Sequence, residues 1–478
     1  MKRISRRDLL RGGVAGGAAI ALGGTLAGGV LRPGGPPRSQ AASADIAGQL
    51  RRGAHVSAIR APGSLPFPTV AAGTDTMPEI EHILVLMMEN HSYDNWLGML
   101  GRGPGQAPRG DGLTLGTNGQ PTNTNPYADG SLQQSFHLPT DCQTGFSVSQ
   151  EWQASHEQFD NGTCEGFVTS PSGPVAMGYW TGDDLPVSYS LASTFSLADR
   201  WFCSLLGQTD PNRRYLIAGT SAGMVDDTAS ELSTQPPNGT IFGVLEHYGI
   251  TWRDYYHTTT SPTTGVYLSD PANSSPNLVS INTFFTDCAA GTLPGFAIID
   301  PNFDTGSEEN PQDIAQGEAF VAQVVNAVMN SPAWPSTLLV WTFDEHGGWY
   351  DHVPPPAAIA PDTIPPLVPA GESAYNGFTQ YGFRVPAVVV SPYSVPNLVS
   401  STVHDHTSVL AMVERKWNLP ALTYRDANAN DLTDLIDLSQ PPAFLEPPTL
   451  ASPTTFPQAC VTTGPGTIPP PGSVLPPP

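Results

Sequence analysis

The stretch Thr337-Leu-Leu-Val-Trp-Thr-Phe-Asp-Glu-His-Gly-Gly-Trp-Tyr-Asp-His-Val-Pro-Pro-Pro356 decides how this chain is read. Its first part, Leu338 to Phe343, is apolar and rich in strand formers, and it stops at two adjacent carboxylates, Asp344 and Glu345. His346, the pair Gly347 and Gly348, then Asp351 and His352 follow before three prolines. That order predicts a buried strand emptying into a polar loop. Neighbouring strand residues point to opposite faces, so Asp344 and Glu345 converge only where the strand has ended. In open α/β sheets the crevice beyond the carboxyl ends of the strands is where ligands bind. An isolated Asp-Glu pair reads first as a solvated strand-to-loop junction. The glycine pair argues against that, because it permits close backbone approach or positive φ, and the two imidazoles add acid, base or anion partners.

Working outward, Ile80 to Met88 is a second apolar strand, and it too ends on ligand types: Glu89, Asn90, His91 and Ser92, with Tyr93-Asp94-Asn95-Trp96 opening a helix. Taken singly, Asn90 reads as a helix cap and His91 as a surface residue. Adjacent carboxylates repel unless a cation or a proton lies between them. Glu89, Asn90, Asp344 and Glu345 together make an oxygen-rich set suited to a hard cation such as Ca²⁺, Mg²⁺ or Mn²⁺.

The remaining elements alternate. Helices are expected over 241–247, 314–329 and 404–417, and strands over 251–256, 295–300 and 383–392, with 191–202 helical and then aromatic. Such alternation predicts βαβ units and a central, mostly parallel sheet flanked by helices, an α/β fold with loop insertions, the longest at 101–135. His404 and His406 read as helix-entry caps, and His137 and His156 stand evenly between polar core contacts and phosphate or leaving-group contacts.

Two hydroxyls compete as nucleophile. Gly219-Thr-Ser221-Ala-Gly223 fits the G-x-S-x-G elbow, and the order Ser221, Asp344, His352 matches a hydrolase triad, although no apolar helix follows. Thr209 is expected in a turn with Asp210-Pro211, next to Asn212 and Arg213; a metal would lower its pKa and the arginine would bind phosphate oxygens.

Composition narrows the class. The chain has 478 residues and a formal charge of −23, so charge argues against a nucleic-acid binder. Ser5-Arg6-Arg7-Asp8-Leu9-Leu10, a Gly/Ala stretch and Ala41-Ala42-Ser43-Ala44 read as a twin-arginine export signal over 1–44, with its machinery as partner; the glycines make a poor membrane anchor, so no stable membrane insertion is expected. An exported protein follows, secreted, periplasmic or associated with the cell wall. Residues 45–76 read as an extended lead-in, 77–440 as the catalytic domain and 441–478 as an extended or disordered Pro-rich tail. The five cysteines show no C-x-x-C spacing; Cys142 and Cys164 are candidates to close a loop, and Cys203 reads as core.

With these residues assembled, the chain resembles the bacterial phosphoesterase family of phospholipases C and acid phosphatases, within the alkaline phosphatase superfamily. The matching pieces are Met87-Met-Glu-Asn-His-Ser-Tyr-Asp94, Thr209-Asp-Pro-Asn-Arg213, Phe343 to Pro355, Arg384 to Pro392 and Asp405-His-Thr-Ser-Val-Leu410. The resemblance implies an alkaline-phosphatase-like fold. It also implies one divalent metal, among Ca, Mg, Mn and Zn, held by Glu89, Asn90, Asp344 and Glu345, with Thr209 completing the shell. Thr209 would attack phosphorus to give a phosphothreonine, with the metal and Arg213 offsetting charge; His156, His346, His352 and His406 would contact oxygens or protonate the leaving group. The substrate implied is a phosphoester small molecule or a phospholipid head group. Many relatives carry His-Pro-Pro where this chain has Glu309-Asn-Pro-Gln-Asp313, so one implied phosphate or head-group contact is absent or replaced by Asn310, which bears on phospholipase specificity. The expected activity is therefore phospholipase C or acid phosphatase. A serine esterase using Ser221 and a non-catalytic cell-wall binder are the rivals.

Overall fold

The computed structural model describes residues 59–477 except 139, 144–146, 229–230, 258–261, 268 and 455–473. The expected export signal lies outside the described residues. An eight-stranded sheet is formed by β1 (His82–Met88), β2 (Ser196–Ala198), β3 (Trp252–Tyr256), β4 (Leu278–Ser280), β5 (Phe296–Ile299), β6 (Thr337–Phe343), β7 (Ala387–Val390) and β8 (Val399–Ser400). Their order is β8-β2-β7-β6-β1-β5-β3-β4, and only β7 runs against the rest, so the sheet is mostly parallel, as expected. β6 is buried at every position and β1 at all but its first, which explains why both read as continuous apolar runs rather than alternations.

The longer helices are α1 (Tyr93–Leu97), α2 (Trp152–Phe159), α3 (Pro186–Thr194), α4 (Thr209–Ala218), α5 (Ile241–His247), α6 (Ile281–Ala290), α7 (Ile314–Met329) and α8 (Thr407–Trp417). Strand residues such as Val85 and Val340 share one core with Leu216 of α4, Val321 of α7 and Leu410 of α8, which fixes those helices against the sheet.

Several expectations change. Thr209 does not sit in a turn: it is the first residue of α4, where a proline two positions later is tolerated because first-turn N–H groups have no helical acceptor. The described part of the lead-in is docked, with the Asn418 side chain donating to Phe67, Val70 and Ala71 carbonyls. The 101–135 insertion contains a hairpin, Thr124–Pro126 with Leu132–Gln134. The tail is not simply loose: Trp334 donates to the Phe444 carbonyl, and Val474–Leu475 pairs with Leu132–Gln134. Cys142 is disulfide-bonded, but not to Cys164, which is free and buried like Cys203 and Cys288.

Candidate active site at the strand ends

Register decides what the two apolar strands deliver. Met88 pairs with Phe343, so Glu89 and Asp344 leave the sheet side by side, and the Asp344 N–H donates to the Met88 carbonyl at 3.1 Å. Asn90 takes φ of 70°, and its N–H donates to Asp344 Oδ1 at 3.1 Å. A Cβ on Gly347 would lie 2.0 Å from the Asn90 carbonyl oxygen, and one on Gly348 would lie 2.4 Å from that of Ser149. Close approach is therefore what the glycine pair supplies, together with positive φ at both.

On these exits the Asn90 amide nitrogen donates to Thr209 Oγ at 3.2 Å, to Asp344 Oδ1 at 3.4 Å and to Glu345 Oε1. Three oxygens from two chain segments thus converge on one atom of a third, which stands where a cation would serve all three. Two further oxygens, Asn90 Oδ1 and Asp344 Oδ2, are buried without a hydrogen-bond partner. Burial raises the Asp344 carboxyl above its usual range, against the pull of Arg213. Burial and then the charge of Asp344 hold Glu345 well above the ordinary carboxylate range. Glu89, 2% exposed, approaches Arg213 at 3.6 Å beside them. Orphaned buried oxygens and mutually repelling carboxyls are the chemistry of a hard-cation site, so this donor set fits a divalent metal.

Arg213 is fully buried and turned inward. Its guanidinium donates to Thr263 Oγ at 3.0 Å, Asp300 Oδ1 at 3.2 Å and the Met87 carbonyl at 3.2 Å, while its Nε lies 3.5 Å from Asp344 Oδ2. The sequence assigned it to phosphate oxygens; its donors instead tie together the ends of β1, β5 and β6.

The four imidazoles separate. His346 adjoins the ligands, with Nδ1 3.4 Å from Glu345 Oε2 and Nε2 2.7 Å from Gln158 Oε1, and burial lowers its pKa to about 3. His406 stands behind the site, its Nε2 2.6 Å from the Asp344 carbonyl oxygen, and burial lowers it to about 4. It precedes α8, but neither it nor His404 caps that helix by side chain as expected. His352 joins a different cluster through Asp94, at 2.6 Å. His156 bonds the Trp152 carbonyl and stacks on Tyr375 at 3.9 Å. Gln158, Asp94, Asp300 and Arg384 were not singled out from the sequence; Asp94 and Arg384 lie in matching motifs, whereas Gln158 and Asp300 gave no signal.

The Ser221 elbow does not form. That motif needs a strand before the serine, but α4 precedes it, closed by Gly219 at φ of 69°. Ser221 is buried, and its hydroxyl has no hydrogen-bond partner, so no base activates it.

Asp94, Asp351 and His352 form a second cluster, the one group of three acidic or imidazole residues among the described residues whose donor atoms lie within 4.8 Å of one another. It is internally neutralised. Arg384 Nε donates to Asp351 Oδ1 at 3.0 Å and its Nη2 to Asp94 Oδ1 at 3.2 Å. At the strand ends two buried oxygens, Asn90 Oδ1 and Asp344 Oδ2, keep no hydrogen bond, whereas compactness here is the work of Arg384 and His352.

The Phosphoesterase family model matches residues 80–420. Phospholipase C A of Mycobacterium tuberculosis is 29% identical over 423 residues, covering 78% of this chain and 80% of the relative. Non-specific phospholipase C1 of Arabidopsis thaliana is 30% identical over 378 residues, covering 73% and 69%. Among solved structures, a protein of the alkaline phosphatase superfamily from Vibrio parahaemolyticus aligns with a TM-score of 0.41 at 8% identity, covering 81% of this chain and 78% of that one. No helix among the described residues is long and apolar enough to cross a membrane. Two strand-end exits matched in register, with a helix-borne hydroxyl between them, lie within the matched span, and the chain belongs to the Phosphoesterase family, as an enzyme acting on phosphoric ester bonds.

Proposed function

We propose that the chain is an exported, divalent-metal-dependent phosphodiesterase of phospholipase C type, with Thr209 as nucleophile. The observation behind this reading is the convergence of Thr209 Oγ, Glu345 Oε1 and Asp344 Oδ1 on the Asn90 amide nitrogen. Glu89, Asn90, Asp344, Glu345 and Thr209 would hold the ion. When bound, it lowers the pKa of the hydroxyl and offsets charge on the phosphoryl oxygens. Thr209 stands at the amino end of α4, whose dipole favours the alkoxide. Its Oγ forms a bond to phosphorus as the bond to the alcohol breaks, and the alcohol departs with a proton. Water then attacks phosphorus, releasing the phosphorylated head group and restoring the threonine. Asn90 orients Thr209, and His406 holds the Asp344 backbone in place.

The test is hydrolysis of p-nitrophenylphosphorylcholine and p-nitrophenyl phosphate by the mature chain, before and after chelation, with metals restored singly. Metal-restored cleavage of the diester supports this reading, and cleavage of the monoester alone moves the chain to the acid phosphatase branch. Indifference to chelation overturns the metal site. Export rests on Arg6 and Arg7 in the leading segment. Replacing both by lysine should retain the full-length chain inside the cell, read by fractionation.

A further inference from the structure

The buried groups that the proposed chemistry leaves unused include the Nδ1 of His346, one of few side-chain nitrogens sealed without a hydrogen-bond partner. Its tautomer is set by a neighbour. The Gln158 amide nitrogen donates to the Ser149 carbonyl at 2.9 Å and to the hydroxyls of Ser170 and Ser172 at 3.3 and 3.1 Å, which fixes that end as the NH₂. Gln158 Oε1 therefore faces His346 Nε2 at 2.7 Å and accepts its proton-bearing nitrogen. In that tautomer the proton sits on Nε2, and Nδ1, which has no hydrogen-bond partner, presents its lone pair.

That lone pair faces Glu345 Oε2 at 3.4 Å, an acceptor opposite an acceptor. Both belong to fully buried side chains, and Glu345 Oε2 is itself oriented by the Gly347 N–H at 2.8 Å. Such a pair is stabilised by a proton or a metal cation between or beside the two atoms. Metal-bound imidazoles commonly have their second ring nitrogen donating to an outer partner that fixes the tautomer, which is the place Gln158 takes here.

We propose that His346 Nδ1 is a nitrogen ligand of the metal, added to the oxygen donors, with Gln158 as its positioning residue. This rests on the metal-dependent reading above. A nitrogen donor shifts preference from Ca²⁺ and Mg²⁺ toward Mn²⁺, Zn²⁺ and related ions.

The experiment loads the metal-free mature chain with Mn²⁺ and measures both binding and the ¹⁴N couplings of the bound ion by pulsed electron paramagnetic resonance. All other proposed donors are oxygen, so a directly bound ¹⁴N signal in the wild type, absent in His346→Phe, is the expected result. Gln158→Leu should weaken Mn²⁺ binding roughly ten- to a hundred-fold, the effect of losing an outer-shell partner. Mn²⁺ that binds the wild type, is lost in Asp344→Asn, and shows no ¹⁴N coupling would overturn the nitrogen ligand while leaving the metal site standing. Failure of any divalent ion to bind would sink the metal-dependent reading itself. Should His346→Phe not fold, Gln158→Leu with unchanged affinity and unchanged coupling also overturns the proposal.

Discussion

Two clusters of buried acids lie five to seven residues apart in sequence, and they solve the same electrostatic problem in opposite ways. Asp94 and Asp351 are met by Arg384 and His352, so every close oxygen has a cation from the chain itself. Glu89, Asp344 and Glu345 have Arg213 near two of them at 3.5 to 3.6 Å, and Asp344 Oδ2 and Asn90 Oδ1 keep no hydrogen bond. Burying a charge is costly unless it is paired, so the first arrangement is a structural clamp and the second, on the proposed reading, is a site completed from outside. The difference also shows why compactness misleads. The clamp is the tighter group because its own cations draw it together.

The largest expected effect separates the clusters by function. Thr209 belongs only to the strand-end group, and Thr209→Ala should lower kcat by about a thousand-fold or more, with metal binding and melting temperature changed far less. Metal stoichiometry comes next. Asp344→Asn or Glu345→Gln should abolish stoichiometric divalent binding, read by elemental analysis after dialysis, while Asp351→Asn keeps it; loss in all three would erase the distinction drawn between the clusters.

Stability of the chelated protein should then move in opposite senses. Asp351→Asn takes from Arg384 one of its two carboxylate partners and should cost up to about 3–5 kcal/mol, whereas Asp344→Asn removes a repelling partner of Glu345 and should cost little or raise Tm. Equal losses in denaturant titrations would merge the two clusters.

The smallest effect is a pH dependence. Asp94 outweighs desolvation and lifts His352 to about 9. A folded pKa above the unfolded value of about 6.5 means the contribution is whole below pH 6.5 and is lost as pH rises through about 9. The raised pKa of Asp351, about 6, acts below this window. Stability of the chelated chain should fall by about 1–3 kcal/mol between pH 6.5 and 9.5, and Asp94→Asn should flatten that slope.

Legibility followed the kind of interaction. The strands ending at Met88 and Phe343 were plain, because two-sided burial leaves continuous apolar runs. The ligand types at their ends were plain for the same reason: polar groups following such runs have nowhere else to lie. The inward contacts of Arg213 were not legible because its partners Thr263 and Asp300 are 50 and 87 residues away. Thr209 looked like a turn residue because Asp-Pro is common to turns and to first helical turns. Ser221 matched a pattern whose strand-to-helix setting the chain does not supply.

By itself, the sequence determined the two strands, the oxygen donors at their ends, the glycines that let those ends close, and the family. Those features are local, set by burial period and backbone freedom. Tertiary structure alone decided which acids find a cation within the chain. Neutralisation depends on where Arg213, Arg384, His352 and Gln158 arrive from distant segments, and only packing brings them within the few ångströms over which a charge is answered.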